Sequence, residues 1–131
     1  MKNILIVEDD SFLRDLISKK LSSAGFSISE AVDGESAIVK IKEAKPDLVL
    51  LDLLLPTMDG FEVLSKIKED TITSAIPVII LSNLGQKEEV DKGISMGATD
   101  YLIKAQFTPE EIVAKVKEIF EKKANPVPEK K

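Results

Sequence analysis

Short apolar runs alternate along the chain with longer stretches in which apolar residues recur at helical spacing. The runs that favour strands cover residues 4–7, 27–31, 48–51, 78–81 and 101–103. Only the second run alternates polar with apolar side chains, which is typical of a strand at the edge of a sheet. Strands that alternate with helices predict an α/β fold, a parallel sheet with helices on both of its faces.

Two helices have clear ends in the sequence. The helix after the first strand is predicted to end at Gly25, because glycine readily takes the left-handed conformation that closes a helix. Its apolar stripe consists of Phe12, Leu13, Leu16, Ile17 and Leu21. The last helix is predicted to begin after Thr108, with Pro109 at its first position and Glu111 completing a capping box.

The length of 131 residues fits one domain, which would bury roughly two-thirds of the surface of the unfolded chain. We expect this domain to span residues 1–123. The last stretch, "ANPVPEKK", contains two prolines and terminal charges. Residues 124–131 are therefore predicted to form a short disordered tail.

Missing residue types exclude several kinds of chemistry. The sequence has no cysteine and no histidine, which excludes disulfides, thiol nucleophiles, imidazole bases and the usual zinc ligands. A bound metal is therefore expected to be a hard, oxygen-preferring cation. The net charge of -5 argues against a broad nucleic-acid interface. With neither a secretory signal nor a long apolar run, we expect a cytoplasmic protein without direct nucleic-acid contact or membrane insertion.

Polar residues directly follow the first, third, fourth and fifth apolar runs. They are Glu8, Asp9 and Asp10 after the first, Asp52 after the third, Ser82 after the fourth and Lys104 after the fifth. In open α/β sheets, ligands bind outside the carboxyl ends of the strands. Asp52, which interrupts the apolar stretch "LVLLDLLLP", is therefore predicted to lie at this edge of the sheet rather than in its middle.

These residue types favour phosphoryl chemistry. Glu8, Asp9 and Asp52 would repel one another unless a cation joined them, and Mg²⁺ suits a few carboxylates with a phosphate as companion. Lys104 and Ser82 can neutralise and hydrogen-bond the oxygens of a transferring phosphoryl group, and a carboxylate can accept that group covalently. Each residue alone has a simpler interpretation, such as a helix-end acid or a solvated lysine, but their coincidence at four strand ends favours a site.

Four motifs, "ILIVEDD", "DLVLLDLLLPTMDGFEVL", "VIILS" and "GATDYLIK", occur in this order along the chain. In order and spacing they resemble the receiver domain of two-component response regulators, the family of the single-domain chemotaxis regulator. The resemblance extends from residue 2 to about residue 122. It implies a flavodoxin-like (βα)5 fold with the strand order 2-1-3-4-5.

The resemblance also implies the phosphoacceptor and the metal ligands. Asp52 would be the phosphoacceptor. Mg²⁺ would be bound by Asp52, by Asp9 directly, by Glu8 through a water molecule and by the backbone carbonyl of Leu54. Asp10 falls just outside the family's acidic pair, so we expect it only to cap the following helix. The loop after the phosphoacceptor matches the family at Pro56, Asp59 and Gly60.

Further roles follow from the same resemblance. Ser82 and Lys104 would stabilise the phosphoryl group, and Ser82 would act with Tyr101 as the switch. Leu54 and Leu84 occupy positions at which the family tunes the access of hydrolytic water. Because both side chains are bulky and apolar, we expect slow loss of the phosphoryl group.

The phosphoryl group must come from a partner, because a chain without histidine cannot be the phosphohistidine donor. The expected donors are a sensor histidine kinase, a histidine phosphotransfer protein or a small phosphodonor. The protein would catalyse only its own phosphorylation and dephosphorylation, so it is not expected to be an enzyme on other substrates. We expect a monomer or a phosphorylation-linked dimer that signals to a downstream protein.

The element expected to respond to phosphorylation is the fourth helix, residues 86–96. Its apolar stripe is limited to Val90 and Ile94, so the helix is weakly held. Our hypothesis is that Ser82 turns toward the phosphoryl group and that Tyr101 follows inward. The face built from the fourth helix, fifth strand and fifth helix would then change its affinity for a partner.

The sequence departs from the family pattern directly after Lys104. Ala105 follows Lys104, where the family usually has a proline with a cis bond, and a cis bond is costly without proline. The position of Lys104 therefore depends on how this turn is built. Leu55 replaces a common methionine, which we interpret as a packing substitution.

Rival functions remain for the same residues. A degenerate receiver that binds partners without phosphorylation is the alternative if Lys104 does not reach the site. A flavin-binding relative is disfavoured because the carboxylates of "EDDSFL" would repel a phosphate lacking a metal. A phosphatase of the haloacid dehalogenase type would need an aspartate where the chain has Leu54.

Overall fold

The computed structural model describes residues 1–124, and for residues 123 and 124 it describes the backbone alone. Strands and helices alternate in this order: β1 (Asn3–Val7), α1 (Ser11–Ser23), β2 (Ser27–Ala31), α2 (Gly34–Ala44), β3 (Leu48–Leu51), α3 (Gly60–Glu69), β4 (Val78–Ser82), α4 (Lys87–Ser95), β5 (Asp100–Ile103), a 3-10 turn (Lys104–Gln106) and α5 (Pro109–Ala124). All five strands were predicted, with bounds that differ by at most one residue. Among these helices none is both long and apolar enough to span a bilayer. The predicted tail lies, apart from Ala124, outside the described residues.

The strands form one parallel sheet in the order β2-β1-β3-β4-β5, which confirms the predicted fold class and strand order. The order reverses between β1 and β3, where crossovers leave the sheet in opposite directions. Val7 pairs with Leu51 in the register of these two strands. The residues that follow them, Glu8 and Asp52, therefore leave the sheet side by side. Open α/β sheets bind ligands at such a point.

Helices cover both faces of the sheet, because successive strand side chains point to opposite sides. On one face Ile17 and Leu21 of α1 and Ile112 and Val116 of α5 pack on the sheet in one buried cluster. On the other face a second cluster joins the sheet to α2 and α3, with Ile67 among its members. The two layers hold the strand ends in fixed positions, which the candidate site requires.

The predicted ends of α1 and α5 are confirmed. Asp10 caps α1 by accepting hydrogen bonds from the backbone N–H groups of the second and third helical residues. Gly25 follows the helix with φ +99°. At α5, the Thr108 N–H donates to the Glu111 carboxylate (2.8 Å) and the Glu111 N–H donates to Thr108 Oγ1 (3.1 Å). One stripe residue was predicted wrongly: Phe12 is 77% exposed, because it lies on the solvent side of the first turn of α1.

The fourth helix is slightly shorter than predicted, with Gln86 and Met96 flanking it as caps. The predicted apolar stripe is half correct. Val90 packs against the core, whereas Ile94 is exposed and the flanking Met96 packs instead. Gly93 is the buried residue of α4, and an added Cβ there would lie 2.6 Å from Ile80 Cδ1. Little apolar surface therefore holds α4 against the sheet.

Gly60 brings the backbone at the start of α3 close to the end of β3, where its N–H donates to the Leu53 carbonyl at 3.0 Å. A Cβ added at Gly60 would overlap the carbonyl oxygen of Asp52 and would lie 2.5 Å from the Cα of Leu53. Both are backbone atoms that cannot rotate away. We therefore expect Gly60→Ala to lower the free energy of unfolding by about 2 kcal/mol, measured by urea denaturation.

Gly25→Ala is the matched control for this substitution. Its added Cβ would meet no atom within 4 Å, although φ is +99°. Only backbone strain then opposes the change, and we expect a loss of about 1 kcal/mol. A Gly60→Ala variant as stable as the parent chain would contradict the close approach between α3 and β3.

Candidate functional site

The carboxyl ends of the strands bring Glu8, Asp52, Ser82 and Lys104 to one edge of the sheet, which we call the rim. The Lys104 ammonium lies 2.8 Å from Asp52 Oδ2 and 2.8 Å from Glu8 Oε1. Both acids are buried, Asp52 with 4% and Glu8 with 2% of its surface exposed. One cation thus bridges two buried carboxylates, which offsets the cost of placing Asp52 in an apolar run.

Lys104 takes this position without a proline after it. A 3-10 turn (Lys104–Gln106) follows β5 directly, and the peptide bonds of residues 1–124 are trans. The turn begins at the rim, so the lysine side chain reaches back across β4 to the end of β3. Ala105 therefore does not prevent the contact on which the site depends.

The acidic cluster of Glu8, Asp9 and Asp52 contains more acids than the one lysine beside it, Lys104, can neutralise. Burial raises the pKa of Glu8, a hydrogen bond from Lys104 partly opposes that rise, and the neighbouring charge of Asp52 adds to it. Burial alone would lower the pKa of Lys104, but its hydrogen bonds to Asp52 and Glu8 outweigh burial and hold that pKa above its ordinary value. Lys104 is thus a cation at neutral pH. A single ammonium cannot neutralise three acids, so a further cation would be favourable.

Asp9 completes a group of three acids with Glu8 and Asp52. One carboxylate oxygen from each lies within 4.8 Å of the others, with Asp9 exposed to solvent and the other two buried. The second oxygen of Asp52, Oδ1, accepts a hydrogen bond from the Leu54 N–H at 3.2 Å. A donor set made of oxygen atoms fits a hard cation such as Mg²⁺, and the exposed Asp9 leaves the site open to solvent.

Ser82 and Tyr101 are linked through Leu84. Ser82 is the last residue of β4 rather than the residue after it, and it is fully buried. Its Oγ accepts a hydrogen bond from the Leu84 N–H at 3.2 Å. The Tyr101 hydroxyl donates to the Leu84 carbonyl. Burial raises the pKa of Tyr101, helped by the charges of Glu89 and Asp52. Tyr101 therefore lies inward, connected to the loop that follows Ser82.

Leu54 and Leu84 share an open surface cavity beside the rim. Leu54 is 57% exposed. The cavity has a volume of about 370 Å³ and is lined by Leu53, Leu54, Leu55, Thr57, Met58, Asp59, Phe61 and Leu84. The structure thus brings together two residues that are thirty positions apart and were predicted to tune the access of water. Leu55 packs against the core, as expected of a packing substitution.

Sequence reasoning missed Arg14. Its Nη1 donates to the backbone carbonyl of Glu8 at 2.8 Å, and its Nε lies 3.5 Å from Glu30 Oε1. A signal for this residue was present in the sequence. Arginine near the N-terminal end of a helix opposes the helix dipole, so its position there suggests a specific partner.

Comparisons with known proteins agree with this geometry. A family model described as the response regulator receiver domain matches residues 4–117. The chain is 41% identical over 120 residues to the DNA-binding dual master transcriptional regulator RpaA of Synechocystis sp., covering 92% of this chain and 49% of RpaA. It is 39% identical to the phosphate regulon transcriptional regulatory protein PhoB of Pseudomonas aeruginosa, covering 91% of this chain and 52% of PhoB. The chain thus spans about half the length of these relatives.

Solved structures share the fold over nearly the full chain. A response regulator receiver domain protein (CheY-like) from Methanospirillum hungatei superposes with a TM-score of 0.88 at 26% sequence identity. The superposition covers 97% of this chain and 99% of that one. The likeness therefore includes all the strand ends that build the rim.

Proposed function

Because the chain belongs to the response regulator receiver domain family of two-component signalling, we propose that Asp52 accepts a phosphoryl group from the phosphohistidine of a partner kinase or phosphotransfer protein. The observation that carries this proposal is the Lys104 ammonium, which lies 2.8 Å from both Asp52 and Glu8. It leaves a carboxylate beside a fixed cation at an edge of the sheet that partners can reach. Mg²⁺ would be held there by Glu8, Asp9, Asp52 and the backbone carbonyl of Leu54.

Phosphoryl transfer needs a nucleophile and charge neutralisation at this rim. An Asp52 carboxylate oxygen attacks the phosphorus in line, and a new P–O bond forms as the P–N bond to the donor imidazole breaks. The imidazole nitrogen keeps the electron pair of the broken bond. Lys104 neutralises charge on the phosphoryl oxygens, and the Ser82 hydroxyl can donate a hydrogen bond to one of them. Mg²⁺, when bound, supplies further neutralisation of the same oxygens.

Intact mass spectrometry after incubation with acetyl phosphate and Mg²⁺ tests this function. We expect the chain to gain one phosphoryl group in the presence of Mg²⁺ and to gain none when the metal is chelated. In this reaction the P–O bond to acetate breaks, and acetate keeps the electron pair. A folded sample that binds Mg²⁺ yet gains no mass would contradict the proposal. The alternative, a binding module that works without phosphorylation, was tied to a misplaced Lys104, and no observation in residues 1–124 favours it.

We propose that the output is a protein contact, although RpaA and PhoB are named as transcriptional regulators. The net charge of -5 disfavours a nucleic-acid footprint on this chain. A monomer and a phosphorylation-linked dimer are both compatible with such an output. Chemical crosslinking with and without acetyl phosphate would separate these two states.

The switch that we propose runs from Ser82 through Leu84 to Tyr101. If Ser82 turned to donate its O–H to a phosphoryl oxygen, its Oγ would move away from the Leu84 N–H, which would loosen the loop that also holds the Tyr101 hydroxyl. Tyr101 already lies inward in this structure, so the inward movement expected from the sequence is not part of the proposal. The change would reach α4, because the Tyr101 ring lies close to the α4 backbone at Gly93. A Cβ added to Gly93 would lie 3.1 Å from this ring.

Hydrogen exchange tests this switch. We expect amide protection within residues 86–96 to change severalfold when acetyl phosphate and Mg²⁺ are added, because little apolar surface holds α4. Residues 34–44 of α2, which lie outside the face built from α4, β5 and α5 and are anchored by buried Ala37 and Ile41, serve as the internal reference. Unchanged protection throughout α4 in a fully phosphorylated sample would contradict the switch.

Leu54→Asn is expected to shorten the lifetime of the phosphorylated chain severalfold. Leu54 lies over the open cavity beside Asp52, and an amide side chain can hydrogen-bond a water molecule that leucine excludes. The measurement is the decay of phosphorylated mass after removal of acetyl phosphate. Leu55→Met, a substitution that preserves side-chain volume in the same loop, is the control and should decay like the parent chain. Equal lifetimes for Leu54→Asn and the parent would count against a water-excluding role.

A further inference from the structure

The backbone of β1 ends in an acceptor that the sheet does not satisfy. The Val7 carbonyl accepts the Asp52 N–H at 3.1 Å, and the Glu8 N–H donates to the Ala31 carbonyl at 3.0 Å. The Glu8 carbonyl lies one peptide beyond the paired residues of the strand. It accepts instead from Arg14 Nη1 at 2.8 Å. A side chain of α1 thus donates the hydrogen bond that a neighbouring strand does not supply at this carbonyl.

Arg14 is itself held in place from two sides. Its side chain is 14% exposed, and its Nε is at ion-pair distance, 3.5 Å, from Glu30 Oε1. The other carboxylate oxygen of Glu30 accepts a hydrogen bond from the Ser18 hydroxyl at 2.5 Å. Glu30 belongs to β2, so Arg14 ties α1 to the edge strand and to the end of β1. Within the described residues, the buried Nε has this ion-pair contact but no hydrogen-bond partner, so the Nη1 hydrogen bond to the Glu8 carbonyl is the directional contact of the guanidinium.

The position of Asp9 depends on this peptide. Asp9 is exposed, and among the side chains of residues 1–122 and the backbone of residues 1–124 no hydrogen bond or ion pair ends on its carboxylate. Glu8, in contrast, is anchored through its side chain by Lys104 and by the Asp10 N–H. What remains to direct the Asp9 side chain is the backbone on either side of it. A rotation of the Glu8–Asp9 peptide would move the Asp9 oxygen away from that of Asp52.

We propose that Arg14 is a positioning residue for the acidic cluster: by holding the Glu8 carbonyl it sets where the Asp9 carboxylate lies relative to Asp52. The inference rests on the proposed function, since it concerns the Mg²⁺ that Asp9 would bind. Residues that orient metal ligands from outside the coordination sphere typically contribute tenfold or more to metal affinity. Arg14 would act in this way through the backbone.

The test compares Mg²⁺ dissociation constants measured by NMR titration of the backbone amides. Arg14→Met keeps most of the apolar stem and removes the donors, and we expect it to raise the dissociation constant about tenfold. The phosphorylation rate with acetyl phosphate should fall at low Mg²⁺ and return to within about twofold of the parent at saturating Mg²⁺. Lys20→Met is the matched control, because Lys20 lies on the same helix but pairs with Glu110 (2.8 Å). Its dissociation constant should equal that of the parent.

Glu30→Gln provides a second, milder variant. It leaves Arg14 in place but removes the charge that holds the guanidinium, so we expect a smaller rise, about threefold. A folded Arg14→Met variant with the parent's dissociation constant would overturn the inference, whatever its melting temperature. If Arg14→Met does not fold, an unchanged constant for Glu30→Gln would overturn it. A parent chain that gains no phosphoryl group despite binding Mg²⁺ would instead overturn the proposed function.

Discussion

Asp52→Asn is expected to abolish the gain of phosphoryl mass completely. The substitution keeps the shape of the side chain and an oxygen that can accept the Leu54 N–H (3.2 Å in the parent). It removes the carboxylate that would attack phosphorus, and an amide oxygen does not replace that nucleophile. Folding should be retained, because replacing a buried carboxylate by an amide also relieves repulsion with Glu8. The measurement is intact mass after incubation with acetyl phosphate and Mg²⁺.

Asp59→Asn is the matched control for Asp52→Asn. Asp59 lies in the same loop and caps α3 through the Phe61 N–H at 2.8 Å, and asparagine caps helices as well as aspartate does. We expect this variant to gain one phosphoryl group at the parent's rate. A gain of mass in Asp52→Asn at the parent's rate would mean that another residue accepts the group, and the proposed role of Asp52 would be wrong.

The position of the rim could be predicted from the sequence because two signals occur together: an apolar run and a polar residue directly after it. Apolar runs that are buried on both faces mark parallel strands, and a polar residue directly after a run marks the strand's end. Val7 and Leu51 end two such runs, and the register pairs them, so Glu8 and Asp52 had to become neighbours. The helix caps at Asp10 and Thr108 were also predictable, because capping depends on residues within one helical turn of each other.

Contacts between residues that lie far apart in the sequence could not be predicted in this way. The reach of Lys104 depends on the 3-10 turn after β5, which no local pattern indicated. The partners of Arg14 lie just after β1 and on β2, and the hydroxyl of Tyr101 meets a carbonyl 17 residues away. Periodicity also misjudged Phe12 and Ile94, because it gives the direction of a side chain but not whether a neighbouring element covers it. Such contacts are set by tertiary packing.

The charge balance at the rim explains why a single lysine matters so much. Asp52 and Glu8 are both buried, and their nearest cation is the Lys104 ammonium at 2.8 Å from each. Without it, two buried carboxylates would face each other unpaired, which is strongly unfavourable. The same ammonium is positioned to neutralise a phosphoryl group on Asp52. Stability and chemistry at this rim therefore share one residue.

Lys104→Met is expected to slow phosphorylation by acetyl phosphate about a hundredfold at saturating Mg²⁺. The stem of the side chain is preserved, but the cation that stabilises charge on the transferring group is lost. The free energy of unfolding should also fall, so rates are compared on samples whose NMR spectra show the folded chain.

Lys87→Met is the matched control for the lysine substitution, because Lys87 pairs with Asp91 on the exposed side of α4 and lies outside the rim. It should be phosphorylated at the parent's rate. If Lys104→Met kept the parent's rate while folded, the ammonium would serve the fold alone, and transfer would depend on Mg²⁺ and Asp52. If the rate falls as expected while the control is unaffected, the turn at Ala105 builds a working site in a chain that lacks the family's usual proline.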